Sequence, residues 1–173
     1  LQASANVELS AERVEQGGIV GVAITGMVGE TAPTVETDLG SVQCTRSPSG
    51  WRAYIPAAYN ASAGAHDITL TVNGEVLTKT LTVLPKDFGT AEVEAEPAPT
   101  EAANTEFRNS IWPLYEQPAQ EKLWSGGFVC PAEDYLVLLN FGQIKITNGQ
   151  QGSKSNSTKL YTIPGDPARA PAN

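Results

Sequence analysis

Hydrophobic residues between Val7 and about Thr90 occur in short β-branched runs that turn residues interrupt. Residues 19–24, for example, read Ile-Val-Gly-Val-Ala-Ile, which predicts one strand. Such runs are typical of an antiparallel sandwich, whereas the apolar positions of a helix recur every three to four residues. We therefore predict a mainly β protein with a sandwich over residues 1–90.

The clearest local signal is a hairpin formed by residues 67–72 and 75–83. Apolar residues alternate with threonines on both segments, and Asn73-Gly74 between them supplies the positive φ angles of a type I′ turn. The face that we predict to be buried consists of Ile68, Leu70, Val72, Leu77, Leu81 and Val83. A second predicted hairpin joins residues 40–44 to residues 51–55 through Ser47-Pro48-Ser49-Gly50, with Trp51 as a core anchor.

The composition changes after the predicted sandwich. Residues 91–106 are acidic and rich in Ala and Pro, so they bury too little apolar surface for a core and are predicted to be a linker. Residues 101–112 predict a short helix with Phe107 and Ile111 on one face, ending before Pro113. Residues 128–131 and 135–139 predict further strands.

Charge excludes some classes of partner. The net charge is -8 and the 11 Lys and Arg residues are scattered, so no basic patch exists for nucleic acid. No apolar run approaches the roughly 20 residues that a membrane-spanning helix needs. The sequence starts at Leu1 without Met, so we expect a mature or trimmed exported product, with any membrane anchor before Leu1.

The two cysteines, Cys44 and Cys130, fall in different predicted domains. They are compatible with an exported protein, either as a disulfide or as two separately buried thiols.

Hydrolytic chemistry is limited by the single histidine, His66, which precedes the strand of the clearest hairpin. One imidazole cannot build a two-His zinc site, and no serine sits in a nucleophile elbow that His66 would serve as base. We therefore expect His66 to be a surface or strand-edge residue. Glu133-Asp134, an adjacent acidic pair, is interpreted as a solvated turn because neighbouring side chains of a strand point to opposite faces.

Four segments of the second half occur in an order known from one family. They are residues 128–131 (Phe-Val-Cys-Pro), Phe141-Gly142, Asn148-Gly149 and residues 165–171 (Gly-Asp-Pro-Ala-Arg-Ala-Pro). Together they resemble the start of the M23 (LytM-type) peptidase domain, in which a His-x-Gly-x-Asp motif binds zinc. The first of them matches the entry strand of that domain, and the last matches a strand-forming segment that follows the first ligand motif.

At the positions that the resemblance assigns to the zinc ligands, this chain has residues that do not bind zinc. Counting back without gaps from Gly165, the family's His falls at Ser155, its Gly at Ser157 and its Asp at Lys159. A protonated serine is a poor zinc ligand, and a lysine ammonium has no lone pair and repels the cation. The resemblance therefore implies a module without catalytic residues, metal or cofactor.

Residues 50–55 and 68–72 resemble the immunoglobulin-like domain that precedes this peptidase domain in some bacterial envelope proteins. The expected organisation is an immunoglobulin-like sandwich (1–90), a linker (91–106) and a degenerate, partial M23-like β domain (107–173) with a short linking helix. The family's second ligand segment would lie beyond Asn173.

The leading hypothesis is an extracytoplasmic protein of the bacterial cell envelope, or a secreted one, whose inactive M23-like module binds or regulates a partner in cell-wall processes. The expected partner is an envelope protein or a peptidoglycan peptide. The alternative is an active zinc endopeptidase that cleaves peptidoglycan cross-links with ligands from a C-terminal extension. A third hypothesis is a pair of adhesion or carbohydrate-binding β domains, for which Trp112, Tyr115 and Trp124 are candidate contact residues.

Overall fold

A computed structural model describes residues 5–95, 97–117 and 124–170, and the chain divides into two units, Leu1–Asp87 and Phe88–Asn173. The protein is mainly β, as predicted. The division falls three residues before the predicted end of the sandwich. Thr90–Glu92 forms a strand of the second unit, because it pairs in parallel with residues 144–146, so the start of the predicted linker is structured.

From residue 5 onward, where its description begins, the first unit contains eight strands in two four-stranded sheets. They are β1 (Asn6–Leu9), β2 (Arg13–Glu15), β3 (Ile19–Thr25), β4 (Thr34–Glu36), β5 (Thr45–Ser47), β6 (Gly50–Pro56), β7 (Gly64–Val72) and β8 (Glu75–Leu84). One sheet has the order β1-β3-β6-β5 and the other the order β2-β8-β7-β4. In the lettering used for immunoglobulin folds, β1, β3, β6 and β5 correspond to strands A, B, E and D, and β4, β7 and β8 to strands C, F and G. The remaining strand, β2, pairs in parallel with β8. The first unit is therefore an immunoglobulin-like sandwich.

The hairpin β7–β8 has the predicted register. Leu70 pairs with Leu77 and Val72 with Glu75, and Asn73 and Gly74 adopt φ angles of 52° and 81°. These are the positive values that a type I′ turn requires. Of the six side chains predicted to be buried, five are, and Leu77 is half-buried.

The core of the first unit lies between the two sheets. Its largest fully buried side chains are Val20, Val22, Ile24, Ile55, Ile68, Leu70, Val72, Leu81 and Val83. They alternate with exposed or half-buried residues along β3, β6, β7 and β8, and each contributes about 1.5–3 kcal/mol by leaving water. Trp51 is buried, as predicted. The strand before it is Thr45–Ser47, where residues 40–44 had been predicted.

The prediction that His66 is a surface or strand-edge residue is wrong, because His66 lies inside β7 and is only 7% exposed. Its Nδ1 lies 2.8 and 3.0 Å from the two carboxylate oxygens of Asp38, and its Nε2 lies 2.8 Å from the Ser62 carbonyl oxygen. Its alternation with Ile68 and Leu70 places the ring on the core side of the sheet, where two acceptors satisfy it. The hydrogen bond to Ser62, followed by that to Asp38, raises the pKa of His66.

In its described residues, the second unit contains five short strands and one helical segment. The strands are β9 (Thr90–Glu92), β10 (Leu136–Leu139), β11 (Ile144–Thr147), β12 (Gln150–Lys154) and β13 (Lys159–Tyr161). They form a three-stranded sheet of order β12-β11-β9 and an antiparallel pair, β10-β13. The helical segment comprises α1 (Glu101–Glu106), a π-helical turn (Phe107–Ile111) and α2 (Trp112–Tyr115). No helix among the described residues is long and apolar enough to cross a membrane.

The helical segment continues past Pro113, where the sequence predicted its end. The Trp112 amide donates to the Phe107 carbonyl, an i to i+5 hydrogen bond that widens the turn before the proline. A wider turn relieves the clash between a proline ring and the carbonyl four residues earlier, so the chain stays helical. Thr100 caps the other end, accepting the Ala103 amide.

The second unit buries little apolar surface in its described part. Its buried apolar residues there are Ala132 and Leu139, while Leu136, Val137 and Leu138 of β10 are 64%, 45% and 49% exposed. Residues 128–131, predicted as a strand, form no regular element. Gly126 precedes them with a φ of 72°, and no partner strand lies beside them among the described residues.

Replacing Leu70 with Ala is expected to lower the free energy of unfolding of the first unit by about 2–5 kcal/mol, because a fully buried side chain leaves a cavity. Urea denaturation of the full chain, followed through the amide signals of β3 and β6, measures this. The matched control on the same hairpin is Val76→Thr, 66% exposed, with an expected change within about 0.5 kcal/mol. Equal effects of the two substitutions would contradict the assigned core.

Candidate functional site

The candidate site of the second unit is built on two turns that contain glycine. Asn148 and Gly149, with φ angles of 51° and 72°, form a type I′ turn between β11 and β12, and Thr147 pairs with Gln150 across it. At the other end of β11, Gly142 follows Phe141 with a φ of 82°. A β-carbon at Gly142 would overlap the ring of Phe88, so this position requires glycine on two grounds.

Ser155 follows β12 and is fixed by backbone and side-chain hydrogen bonds. Its carbonyl accepts the Gly142 amide at 2.8 Å, and its amide donates to the Gln143 carbonyl at 2.8 Å. Its hydroxyl donates to the Ser157 carbonyl at 2.7 Å, and its side chain is 2% exposed. Ser155 therefore closes a tight turn that leads into β13 at Lys159.

An open cavity of about 490 Å³ lies beside this turn. Ser155, Ser157, Thr158 and Lys159 line it from the turn and β13, and Lys145 and Thr147 line it from β11. Glu94 and Leu139 are also part of its wall. With two ammonium groups and one carboxylate, its charged lining is cationic, although the whole chain is acidic.

The structure brings together the positions that the M23 resemblance assigns to zinc ligands, since Ser155 and Lys159 line one cavity. Their chemistry does not fit zinc. The Ser155 hydroxyl is a protonated donor to Ser157, the ammonium of Lys159 has no lone pair, and Lys145 adds a second cation. Within residues 5–95, 97–117 and 124–170, no three His, Cys, Asp or Glu side chains lie close enough to hold a metal ion.

The two cysteines are free thiols, Cys44 in the first unit and Cys130 in the second. Cys44 packs against the core of the sandwich, and burial raises the pKa of its thiol. Cys130 is half-buried, and a hydrogen bond with it raises the pKa of Tyr135. Neither thiol lines the cavity described above.

Two of the segments on which the resemblance rests contact each other. The Arg169 amide donates to the Pro131 carbonyl at 2.9 Å, and its Nε donates to the Cys130 carbonyl at 3.2 Å. Its guanidinium also lies 3.6 Å from a carboxylate oxygen of Glu133, which is exposed, as expected for a solvated turn. Residues 165–170 form no strand, unlike the family segment they resemble, and Pro171 lies outside the described residues.

The aromatic residues considered for carbohydrate binding do not lie on a sheet face. Trp112 and Tyr115 are 52% and 72% exposed on the helical segment, with ring centroids 6.2 Å apart. The Trp112 indole donates to a carboxylate oxygen of Glu116 at 3.0 Å. Trp124 is half-buried, 5.7 Å from the ring of Phe128. The flat aromatic sheet surface that would have favoured carbohydrate binding is not formed by these three residues.

Sequence reasoning missed Lys145 and Glu94 as cavity residues. The signal for Lys145 was available, because residues 144–147 and 150–154 flank Asn148-Gly149 as the strands of the first hairpin flank Asn73-Gly74. Asn148-Gly149 was interpreted only as a family motif. Glu94 carried no such signal, since it lies in the segment predicted to be a linker.

Comparison with known proteins gives no family for this chain. No family model and no curated protein matches it. Among solved structures, the Yersinia pseudotuberculosis adhesin InvE is similar over 47% of this chain and 26% of that chain, with 18% identity and a TM-score of 0.37. Domains 4 and 5 of the S-layer protein SbsC (46% of this chain, 51% of that chain, 15% identity, TM-score 0.31) and a chimeric titin Z1Z2 (48% and 97%, 20% identity, TM-score 0.29) are also similar. Similarity at this level does not bear on function.

Replacing Gly142 with Ala is expected to destabilise the second unit by at least about 1–2 kcal/mol, because a β-carbon is disfavoured at this left-handed φ and would strike Phe88. The amide signals of Gln143 and Ser155 in a urea titration measure the effect. Gly127→Ala is the control, since open space surrounds that glycine and its φ is not left-handed. A Gly142→Ala protein as stable as the Gly127→Ala protein would show that the turn is not constrained as described.

Proposed function

We propose that this chain is an extracytoplasmic protein of the bacterial cell envelope, or a secreted one, whose second unit is a catalytically inactive M23-like module. In this proposal the module binds or regulates a partner in cell-wall processes. The immunoglobulin-like unit serves as a spacer or docking domain.

The observation that carries the proposal is the shared cavity of Ser155 and Lys159. The two positions that the resemblance assigns to zinc ligands lie at the two ends of the turn that leads into β13, and both line one concave surface. The residues there replace ligands with a hydroxyl donor and an ammonium. A concave surface lined by an ammonium and hydroxyls, at positions where the resemblance expects zinc ligands, supports binding in place of hydrolysis.

The lining of the cavity indicates the chemistry of its partner. The ammonium groups of Lys145 and Lys159, beside the hydroxyls of Ser157 and Thr158, suit a ligand that carries a carboxylate. A peptide of peptidoglycan has such groups, as does an acidic segment of an envelope protein. We propose the peptidoglycan peptide as the first partner to test.

Titration of the full chain with soluble peptidoglycan fragments is expected to shift the amide signals of Ser157, Thr158 and Lys159. Lys159→Glu is expected to weaken binding by about tenfold, because it places a carboxylate where the ligand's own carboxylate would lie. Lys79→Glu, the same change on β8 of the first unit, is the matched control and is expected to leave the affinity unchanged. Absence of binding to the wild-type chain, or equal loss in both variants, would contradict the proposal.

Zinc binding separates this proposal from the alternative of an active peptidase. The wild-type chain, dialysed against zinc, is expected to retain no stoichiometric metal. The double variant Ser155→His with Lys159→Asp removes one cation and restores two zinc-binding side chains, so its affinity for zinc is expected to exceed that of the wild type. Stoichiometric zinc in the wild-type protein, together with cleavage of peptidoglycan cross-links, would establish the peptidase.

A further inference from the structure

His66 joins two loops at one end of the first sandwich. Asp38 lies on the chain after β4, and Ser62 lies on the turn of residues 57–63, between β6 and β7. The ring bridges them with Nδ1 at 2.8 Å from the Asp38 carboxylate and Nε2 at 2.8 Å from the Ser62 carbonyl. Both partners are acceptors, so the arrangement is satisfied only when both ring nitrogens carry a hydrogen. The geometry therefore selects the imidazolium.

The charged groups around the ring are few. Asp38 is the only titratable side chain among the described residues in hydrogen-bond contact with His66, and it is 70% exposed. Asp67, the next residue of β7, points to the opposite, exposed face, and Leu81 lies across the ladder on β8. Glu36 of β4 is likewise on an exposed position. The proton on His66 thus depends mainly on one carboxylate and one carbonyl.

The turn of residues 57–63 is connected to the end of the first unit through Gln16. The Gln16 side-chain amide donates to the Ala61 carbonyl at 2.6 Å, next to the residue that His66 holds. The oxygen of the same side chain accepts the Lys86 amide at 3.1 Å, and the Gln16 backbone amide donates to the Leu84 carbonyl at 2.9 Å. Gln16 therefore links the turn to residues 84–86, where the chain leaves the sandwich.

We propose that doubly protonated His66 fastens the turn of residues 57–63 and, through Gln16, residues 84–86, so that loss of its proton at higher pH loosens the point at which the chain leaves the first unit. A neutral ring has one nitrogen lone pair. That lone pair must face either the Asp38 carboxylate or the Ser62 carbonyl, and one attractive contact becomes repulsive.

The direction of the pH effect follows from the raised pKa of His66. Because folding raises this pKa, the bridge contributes fully below the ordinary His value of about 6.5 and is lost as the pH rises through the raised value. The hydrogen-bonded connection is therefore complete at low pH and is weakened as the pH rises through the pKa of His66.

The test uses the full chain and its single histidine. Proton NMR of the His66 ring gives its pKa directly. The hydrogen-exchange protection of the Lys86 amide, corrected for the intrinsic exchange rate at each pH, measures how firmly residues 84–86 are held. Protection at Lys86 is expected to fall by about tenfold as His66 deprotonates, the effect of one ordinary hydrogen bond. Titration of His66 at or below its ordinary value, or protection that does not follow its titration, would overturn the proposal.

Matched variants separate the steps. Asp38→Asn is expected to lower the pKa of His66 and to shift the loss of Lys86 protection to lower pH. The control is Asp67→Asn, which changes the residue after His66 on the exposed face of β7 and is expected to alter neither quantity. Gln16→Ala is expected to leave the His66 titration in place while Lys86 loses its protection at every pH. If Lys86 still follows His66 in the Gln16→Ala protein, the connection through Gln16 is wrong.

Discussion

The first unit depends on the burial of one face from each of two four-stranded sheets. A strand turns successive side chains to opposite faces, so each core strand has to alternate, and β3, β6, β7 and β8 do so. This constraint also explains His66. Two residues before Ile68, it falls on the buried side whatever its polarity, and the fold provides two acceptors for it. A polar side chain placed inward by register becomes a fixed link between loops.

The same constraint sets how much could be predicted from the sequence. The turn and the pairing register of the β7–β8 hairpin were predictable, because its alternation and Asn73-Gly74 turn agree, although β7 begins three residues before the predicted strand. His66 was misplaced because its neighbours Gly64 and Ala65 give no apolar signal, although β7 already includes them. The helical segment was predicted to end before Pro113. It continues because a π-helical turn accommodates the proline, and the backbone geometry of that turn cannot be predicted from the residue types.

The second unit was less predictable because its described part has few buried positions. Only strands and helices with a buried face show a regular alternation of apolar and polar residues in the sequence. The resemblance to M23 peptidases led to Ser155 and Lys159, which do share a cavity, but composition alone singles out neither. Lys145 reaches the same cavity from β11 through a second Asn-Gly hairpin. Glu94 also lines the cavity, but it belongs to an acidic, Ala/Pro-rich segment whose composition indicates only a linker. Its position at the cavity depends on tertiary structure that composition does not predict.

The exposure of β10 has a consequence for how the protein behaves at high concentration. Leu136, Val137 and Leu138 present apolar side chains on a strand that pairs, among the described residues, with β13 alone. Such an edge is a template for strand addition and self-association. Glu133 and Asp134 precede it, separated from β10 by Tyr135, and charges that flank an apolar strand oppose stacking of one copy on another. Because every copy carries the same negative charges at this turn, the acidic pair is expected to weaken self-association through the exposed edge of β10.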